Sequence, residues 1–302
     1  MNYKRIKDTE GAVMILGYQN NQWNLIDGAV DIKELLNLTD ISELTLSAVP
    51  EGSYSDAIPL KPTAYRDFML YEKHAIDAAR GFVKKYMQGL YPVVRTYEKI
   101  TGKTFPKLKP KERYYKYPIH YMGNHLNIVS EGDEITKPSY TAALDYELEI
   151  GAVITKPLKN ATLDEVRAAI GGFVILNDFS ARDVQIDEIN SGFGPMKSKN
   201  FGSAISSVIA PAKDLLSKID DLEVQVIVNG KTIIESTTAG KLYSFEEAIA
   251  YASWDEQLHP GELFGSGTIP GCTGIENGVM LNPGDSITLM VEGIGQLTNS
   301  II

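Results

Sequence analysis

Two glutamates in an otherwise apolar stretch constrain this chain most. The stretch runs from Tyr146 to Ile154, and a strand with two-residue periodicity places Glu147 and Glu149 on one side and the apolar side chains on the other. Two like charges side by side repel each other and are costly to bury without a counter-charge. A divalent cation that prefers oxygen ligands would stabilise such a pair, whereas a solvent-facing strand edge would not need one. The other residues of the chain must decide between a metal site and a solvent-facing strand edge.

Length and composition fit a large globular fold. The chain has 302 residues, of which 43% are hydrophobic, and no apolar run is long enough to span a membrane. The single cysteine, Cys272, excludes a disulfide framework and a cysteine-rich zinc site. The first residues, Met1–Lys7, do not show the pattern of a signal peptide. We therefore expect a cytoplasmic protein without a membrane partner.

The charge is acidic but unevenly distributed. The formal net charge of −10 argues against a nucleic-acid partner. Residues 84–116 nevertheless contain ten Lys/Arg and two acids, so this segment sums to +8 and the rest of the chain to −18. The segment is either a solvated surface insertion, which is the simpler interpretation, or a basic lid that attracts an anionic substrate.

The pattern of short apolar runs and turns predicts a mixed, β-dominated fold in two units. Residues 1–60 read as a small β-rich N-terminal domain, with strands at Gly11–Leu16 and Trp23–Ile26 around a turn. Pro59 and Pro62 mark an extended boundary, after which residues 61–302 would form the larger domain with the basic insertion.

Residues 63–83 are predicted to be helical and contain a candidate catalytic pair. His74 and Asp77 are three residues apart, so on a helix they share a face and can form a hydrogen bond. A carboxylate that orients a histidine fixes its tautomer and raises its basicity, as a general base requires. An incidental ion pair on an exposed helix is the alternative.

Other local signals place a third acid near the paired glutamates. The buried-strand run Phe173–Leu176 delivers Asp178 at its end, where strands open into loops. Capping boxes predict helices that begin after Thr162 and after Ser244, and Asn229-Gly230 predicts a hairpin. A dinucleotide-binding loop around Gly265 is a poor interpretation, because the glycine spacing is wrong and Pro270 interrupts the helix start.

Taken in order, four motifs resemble the fumarylacetoacetate hydrolase superfamily over residues 60–302. The motifs are Asp145–Glu149, Asn177–Gln185, Lys199–Gly202 and Gly265–Thr268. The resemblance implies a β-sandwich or roll catalytic domain and a homodimer with its sites near the interface.

The resemblance also assigns roles to individual residues. Glu147, Glu149 and Asp178 would ligate Mg²⁺ or Mn²⁺, with Ca²⁺ possible as a third choice, and Asp67 fits a fourth acidic ligand. His74 fits the catalytic histidine. The residues expected to line the pocket or contact the substrate are Tyr121, Arg182, Gln185, Lys199 and Thr268.

One position departs from the family pattern. The family hydrolases orient their histidine with a glutamate from the C-terminal part, and an ungapped match from Thr268 places Asn282 there. Because related acylpyruvate hydrolases use a His-x-x-Glu pair, we expect Asp77 to orient His74 instead.

The combined expectation is a metal-dependent hydrolase that cleaves a carbon–carbon bond of a small anionic 1,3-diketo acid. His74 would activate water, and Lys199 would help to stabilise the enolate leaving group at the metal. The same site could instead serve a 2-oxo-acid decarboxylase of the oxaloacetate type, a dehydratase or an isomerase. A non-catalytic ligand-binding homologue is the remaining alternative.

Overall fold

The computed structural model describes residues 1–302 and is dominated by strands, as the sequence predicts. The strands are β1 Tyr3–Asp8, β2 Val13–Gln19, β3 Gln22–Ile26, β4 Leu46–Ser47, β5 Tyr54–Ala57, β6 Tyr65–Phe68, β7 His120–Gly123, β8 Ile128–Ser130, β9 Glu134–Ile135, β10 Leu144–Asp145, β11 Leu148–Ile154, β12 Ile170–Asn177, β13 Ser180–Ala181, β14 Ser203–Ile205, β15 Val208–Pro211, β16 Glu223–Val228, β17 Lys231–Thr237, β18 Leu263–Gly265, β19 Ser286–Val291 and β20 Gly295–Ile301.

Helices are fewer and mostly short. They are α1 Ile32–Leu36, α2 Glu72–Tyr86, α3 Tyr91–Thr101, α4 Glu112–Lys116, α5 Leu163–Ala169, α6 Arg182–Ser191, α7 Ala212–Leu215, α8 Phe245–Ala252 and α9 Gly274–Asn277. None of them is long and apolar enough to cross a membrane.

Two sheets enclose the main core. The larger sheet runs in the order β4-β3-β2-β1-β15-β12-β11-β18-β6-β7, and the smaller one in the order β17-β16-β19-β20-β9. Ile150 and Ile175 of the larger sheet belong to the same buried cluster as Val226 and Leu289 of the smaller one. The alternating apolar faces of both sheets are thus buried against each other, which gives the expected sandwich.

The N-terminal strands extend the larger sheet. β1 pairs with β15 in the antiparallel sense, with Tyr3 opposite Ile209. Tyr3 also shares a second core cluster with Val174 and Leu176 of β12. Residues 1–60 are therefore β-rich as expected, and they are joined to the rest by backbone hydrogen bonds; the domain boundary at residue 60 stays a prediction.

Several local predictions are confirmed by backbone geometry. Asn20 and Asn21 both have positive φ between β2 and β3, and Asn229 has positive φ between β16 and β17, as tight hairpins require. Both capping boxes are present, at Thr162 and at Ser244.

The predicted helix over residues 63–83 is wrong in its first part. Tyr65–Phe68 forms β6, which pairs in parallel with β18 so that Asp67 lies opposite Gly265. Helix α2 begins only at Glu72 and continues to Tyr86. A partner strand about two hundred residues away overrides the local helical pattern, because pairing to a buried strand satisfies the backbone of residues 65–68.

The basic insertion is folded. It contributes the end of α2, then α3, a 3₁₀ turn at Pro106–Leu108, and α4. Val94 and Leu108 of the insertion form a small core with Val83 of α2, and Phe105 packs against it. Apolar packing of these elements places one side of the insertion beside the cavity described below.

Candidate active site

Three carboxylates converge on one face of the larger sheet because their strands are neighbours. Glu149 lies on β11, Asp178 directly follows β12, and Asp67 lies on β6. The order β12-β11-β18-β6 brings them together, and one oxygen of each lies within 4.8 Å of the others. All three residues are buried. The predicted ligands Glu149, Asp178 and Asp67 are thus assembled as an acidic cluster.

Gly265 makes room for this acidic cluster. It lies on β18, between the strands that carry Asp67 and Glu149. A Cβ built at Gly265 would overlap the Asp67 carboxylate and would come within 2.7 Å of Glu149 Oε2. The two carboxylates therefore meet above a strand position that only glycine can occupy without displacing them.

Ionisation of the acidic cluster is unfavourable in the protein alone. Burial, together with the Asp178 carboxylate, raises the pKa of Asp67 well above its ordinary value. Burial and the Asp67 carboxylate do the same to the pKa of Glu149. Burial also raises the pKa of Asp178, although the Lys199 ammonium opposes the rise.

Two oxygens of the acidic cluster fit a divalent cation. Asp67 Oδ1 and Glu149 Oε1 are buried and have no hydrogen-bond partner. Unpaired buried carboxylate oxygens are costly, and hard cations such as Mg²⁺, Mn²⁺ and Ca²⁺ are coordinated by oxygens of this kind. Asp67, Glu149 and Asp178 are therefore the residues that would hold the metal.

Glu147, the other predicted metal ligand, is paired with side-chain cations of the chain. Its Oε1 accepts a hydrogen bond of 2.5 Å from Arg182 Nη2, and its Oε2 is bound by Lys199. Burial alone would raise the pKa of Glu147, but Arg182 and Lys199 hold it well below its usual range. Glu147 therefore lies next to the acidic cluster, with both oxygens paired to side-chain cations, and its role as a metal ligand stays a prediction.

Lys199 connects Glu147 to the acidic cluster. Its ammonium binds Glu147 and Asp178 together, and these carboxylates outweigh its burial and raise its pKa above the ordinary value. The Tyr121 hydroxyl donates to the same Asp178 oxygen over 2.6 Å. Lys199 is consequently a buried cation held in its charged form, and Tyr121 is a neighbour of the acidic cluster.

His74 is oriented by Glu276, which corrects the expected pairing with Asp77. His74 Nδ1 lies 2.5 Å from Glu276 Oε1, and both side chains are buried. Asp77 points elsewhere on α2 and pairs with Lys73 and Arg80. The carboxylate of Asp77 is held instead by two basic side chains of its own helix, which are four residues before it and three residues after it.

The expectation for Asn282 is wrong as well. Asn282 is exposed, and its backbone N–H donates to Asp285 in a turn. Glu276 comes six residues earlier, on α9, and its second oxygen accepts from the Gly271 N–H over 2.8 Å. The chain thus contains the orienting glutamate in its C-terminal part, at a position that an ungapped match misses.

Asp145 holds the helix that carries Glu276, a role that the sequence did not reveal. Its carboxylate accepts from the backbone N–H groups of Gly274 and Ile275 at the start of α9, over 2.6 and 2.9 Å. It also accepts from Arg182 Nε over 2.7 Å. Asp145 therefore fixes α9 relative to the Arg182–Glu147 ion pair.

Arg182 is used mainly within the protein. Four of its five N–H groups donate to acceptors in the chain, which are Asp145, Glu147, Gln185 and Thr273. It lines the cavity together with Gln185 and Thr268. The substrate contacts predicted for these three residues stay predictions, and the geometry gives Arg182 a positioning task.

A cavity of about 910 Å³ opens in front of these groups. His74, Glu147, Glu149, Lys199 and Asp67 line one part of it. The insertion supplies another part of the wall, including Lys107, Lys109, Lys111 and Arg113. The simpler interpretation of the insertion as a solvated surface feature is therefore incomplete.

A search against family models decides the family. The model described as "Fumarylacetoacetate (FAA) hydrolase C-terminal" matches residues 93–302, more than two thirds of the chain. The chain belongs to the fumarylacetoacetate hydrolase family. The family is enzymatic, and the acidic cluster agrees with its general dependence on divalent metals.

Curated relatives of this family carry different activities in their names. The chain is 29% identical over 194 residues to "Oxaloacetate tautomerase Fahd2a, mitochondrial" from Rattus norvegicus, covering 63% of this chain and 60% of the relative. It is 26% identical over 237 residues to the "4-hydroxyphenylacetate degradation bifunctional isomerase/decarboxylase" of Escherichia coli, covering 70% and 52%. The chain thus matches little more than half of the length of these relatives.

Solved structures support the fold over the full length. The fumarylacetoacetate hydrolase from psychrophilic Exiguobacterium antarcticum has a TM-score of 0.74 to this chain, with 19% identity and coverage of 100% of this chain and 99% of the other. At this identity the likeness establishes the fumarylacetoacetate hydrolase fold and nothing further.

Proposed function

We propose that this protein is a divalent-metal-dependent hydrolase that cleaves a carbon–carbon bond of a 1,3-diketo acid. The observation that carries the proposal is the His74–Glu276 pair beside the acidic cluster. Glu276 binds Nδ1 of His74, which leaves Nε2 on the side of Glu147, 3.9 Å from its Oε1. A histidine held in this way can accept a proton from water at Nε2.

The residues of the chain account for each proton and charge of this reaction. His74 Nε2 takes a proton from water, and Glu276 stabilises the imidazolium that results. The water oxygen adds to the carbonyl carbon of the acyl group, and the bond to the adjacent carbon breaks. The electron pair goes to the leaving fragment as an enolate, which the charged Lys199 can stabilise and which the His74 proton can finally neutralise.

Asp67, Glu149 and Asp178 would hold Mg²⁺ or Mn²⁺. The bound ion would supply Lewis-acid polarisation of the substrate oxygens.

A second candidate is a tautomerase or decarboxylase of a 2-oxo diacid such as oxaloacetate. The printed names of the relatives favour it, since they include an oxaloacetate tautomerase and an isomerase/decarboxylase. Decarboxylation needs no activated water and would not require His74 as a base, whereas tautomerisation moves a proton between carbon and oxygen without adding water.

One set of assays separates the two candidates. Purified protein with Mg²⁺ or Mn²⁺ is tested on acylpyruvates, on other 2,4-diketo acids and on oxaloacetate, as wild type and as His74→Ala. We expect the wild type to hydrolyse a diketo acid and the variant to lose about 10²- to 10⁴-fold, the range of general acid–base catalysis. Oxaloacetate turnover by the wild type, without hydrolysis of any diketo acid, would establish the second candidate instead.

The homodimer implied by the family resemblance is part of the proposal. Sedimentation equilibrium of the purified chain tests it, with a mass of twice 33.2 kDa as the expected result.

A further inference from the structure

The cavity has an apolar wall that the proposed chemistry does not use. Beyond the catalytic residues, it is lined by Phe82, Met87 and Leu90 of the α2–α3 segment and by Ile189 of α6. Val94 and Phe105 of the insertion line it too. Half of the 34 lining residues are hydrophobic, whereas small diketo acids present mainly carboxylate and carbonyl oxygens.

Several of these side chains are open to solvent in the protein alone. Met87 is 43% exposed, Leu90 37% and Ile189 50%. Contiguous apolar side chains that face a cavity are stabilised when an apolar ligand excludes the water from them. Because the same cavity contains His74, Asp67 and Glu149, a ligand that covers the wall can also reach the catalytic groups.

The size of the cavity points the same way. Ligand cavities of about 300–1,000 Å³ take up molecules of drug size. The cavity, at about 910 Å³, lies near the top of that range, so a diketo acid with a one- or two-carbon acyl group would leave the apolar wall unoccupied.

We propose that the substrate carries a long or bulky apolar acyl group. Its 2-oxo-acid end lies at Lys199 and the acidic cluster, and its acyl group lies against Met87, Leu90 and Ile189. This inference rests on the proposed function for the chemistry at the head of the substrate, but it can be measured through binding alone.

Calorimetric titration with a homologous series provides the test. The probes are pyruvate, 2-oxohexanoate and 2-oxooctanoate, added to the wild type in the presence of Mg²⁺. Because burial of one methylene contributes about a fourfold gain in affinity, we expect the dissociation constant to fall by up to about that factor for each added carbon.

Two matched variants locate the effect. Leu90→Asp places a charge on the cavity wall, whereas Val93→Asp makes the same kind of change three residues on, at a side chain that is 55% exposed and does not line the cavity. Val93→Asp should retain the gain in affinity with chain length, whereas Leu90→Asp should lose that gain. Circular dichroism checks folding, and Met87→Asp replaces Leu90→Asp if that variant does not fold.

The outcomes separate this inference from the proposed function. Affinity that does not rise with chain length in the wild type overturns the inference, as does an equal gain in all variants. Hydrolysis is measured separately with acetylpyruvate and octanoylpyruvate. If affinity rises with chain length but neither substrate is hydrolysed, the inference is supported and the proposed function is overturned. If acetylpyruvate is hydrolysed but affinity does not rise with chain length, the proposed function is supported and the inference is overturned.

Discussion

Glu147 and Glu149 are two residues apart on one chain segment, but they lie in opposite electrostatic surroundings. Glu147 belongs to an ion-paired side of the site, where Arg182 and Lys199 bind its two oxygens. Glu149 belongs to the acidic cluster, where burial and Asp67 raise its pKa and one oxygen has no partner.

The difference shows how the chain divides its charges. On the ion-paired side, the protein supplies its own cations, and these fix the geometry around Glu147 and Asp145. In the acidic cluster, three buried carboxylates share a single ammonium, which binds only Asp178 among them. The acidic cluster is therefore the part of the site where carboxylate charge is left for a cation from solution. The following predictions test that division, from the largest expected effect to the smallest.

The largest effect is expected in the acidic cluster. We expect Mg²⁺ to raise the melting temperature of the wild type, and Glu149→Gln should remove this rise and abolish metal-dependent turnover, because a ligand is lost. Thermal unfolding with and without Mg²⁺ measures this. Asp164→Asn, at a carboxylate that is 93% exposed, is the control and should retain both properties. A Mg²⁺-dependent rise that persists in Glu149→Gln would contradict the assignment.

The second-largest effect is expected at the His74–Glu276 pair. Glu276→Gln is expected to lower kcat by about 10²- to 10⁴-fold, because the amide cannot stabilise the imidazolium formed during general-base catalysis. Asp77→Asn changes the residue that the sequence favoured and should leave kcat near the wild-type value. Equal losses in the two variants would mean that Glu276 is not the orienting group.

Substitutions on the ion-paired side should change the free energy of unfolding. Glu147→Gln leaves Arg182 and Lys199 buried without one carboxylate partner, which should cost about 3–5 kcal/mol of unfolding free energy. Glu149→Gln should change the metal-free stability in the opposite direction, since it removes a buried like charge. Urea unfolding in EDTA measures both. If both substitutions changed the free energy of unfolding in the same direction, the two glutamates would not lie in opposite electrostatic surroundings.

Gly265→Ala tests the space between Asp67 and Glu149. The added methyl group would push the carboxylates apart, and we expect a loss of about 10- to 100-fold in Mg²⁺ affinity, the size seen when ligand orientation is disturbed. Gly89→Ala, where a Cβ meets nothing within 4 Å, is the control. Titration calorimetry with Mg²⁺ gives the affinities, and unchanged binding in Gly265→Ala would refute the steric argument.

The smallest effect is expected at the basic rim of the insertion. Lys107, Lys109 and Lys111 line the cavity and form no ion pair within the chain. Changing all three to glutamate should lower kcat/KM for an anionic substrate several-fold at low ionic strength, and about 0.5 M salt should erase the difference by screening. A salt-independent loss would point to a direct contact instead of long-range attraction.

Much of the site could be predicted because its residues lie in local sequence patterns that are typical of strands. The alternation around Glu149 and the buried run before Asp178 are local patterns, and the sheet brings together what those patterns deliver. The Asn-Gly hairpin and the capping boxes are local for the same reason.

The errors arose where distant segments meet. Asp67 is on a strand only because β18 pairs with β6. The residues around Asp67 contain no pattern that predicts a parallel partner strand about two hundred residues later. Glu276 cannot be identified from one sequence, because the number of residues between Thr268 and the orienting glutamate varies with the length of the loop. The signal that could have found it is a glutamate on a short helix just past the glycine-rich loop, with Asp145 available to accept at the start of that helix.

Helix α2 carries the proposed catalytic base, His74, near its beginning and a residue of the apolar wall, Phe82, toward its end. Phe82 follows His74 by eight residues, which on a helix corresponds to about 12 Å along the axis. If the substrate has the proposed acyl group, the helix sets the distance between the bond that is cleaved and the part of the wall that contacts the acyl chain. A shift of helical register between His74 and Phe82 would change the preferred chain length while leaving the chemistry intact.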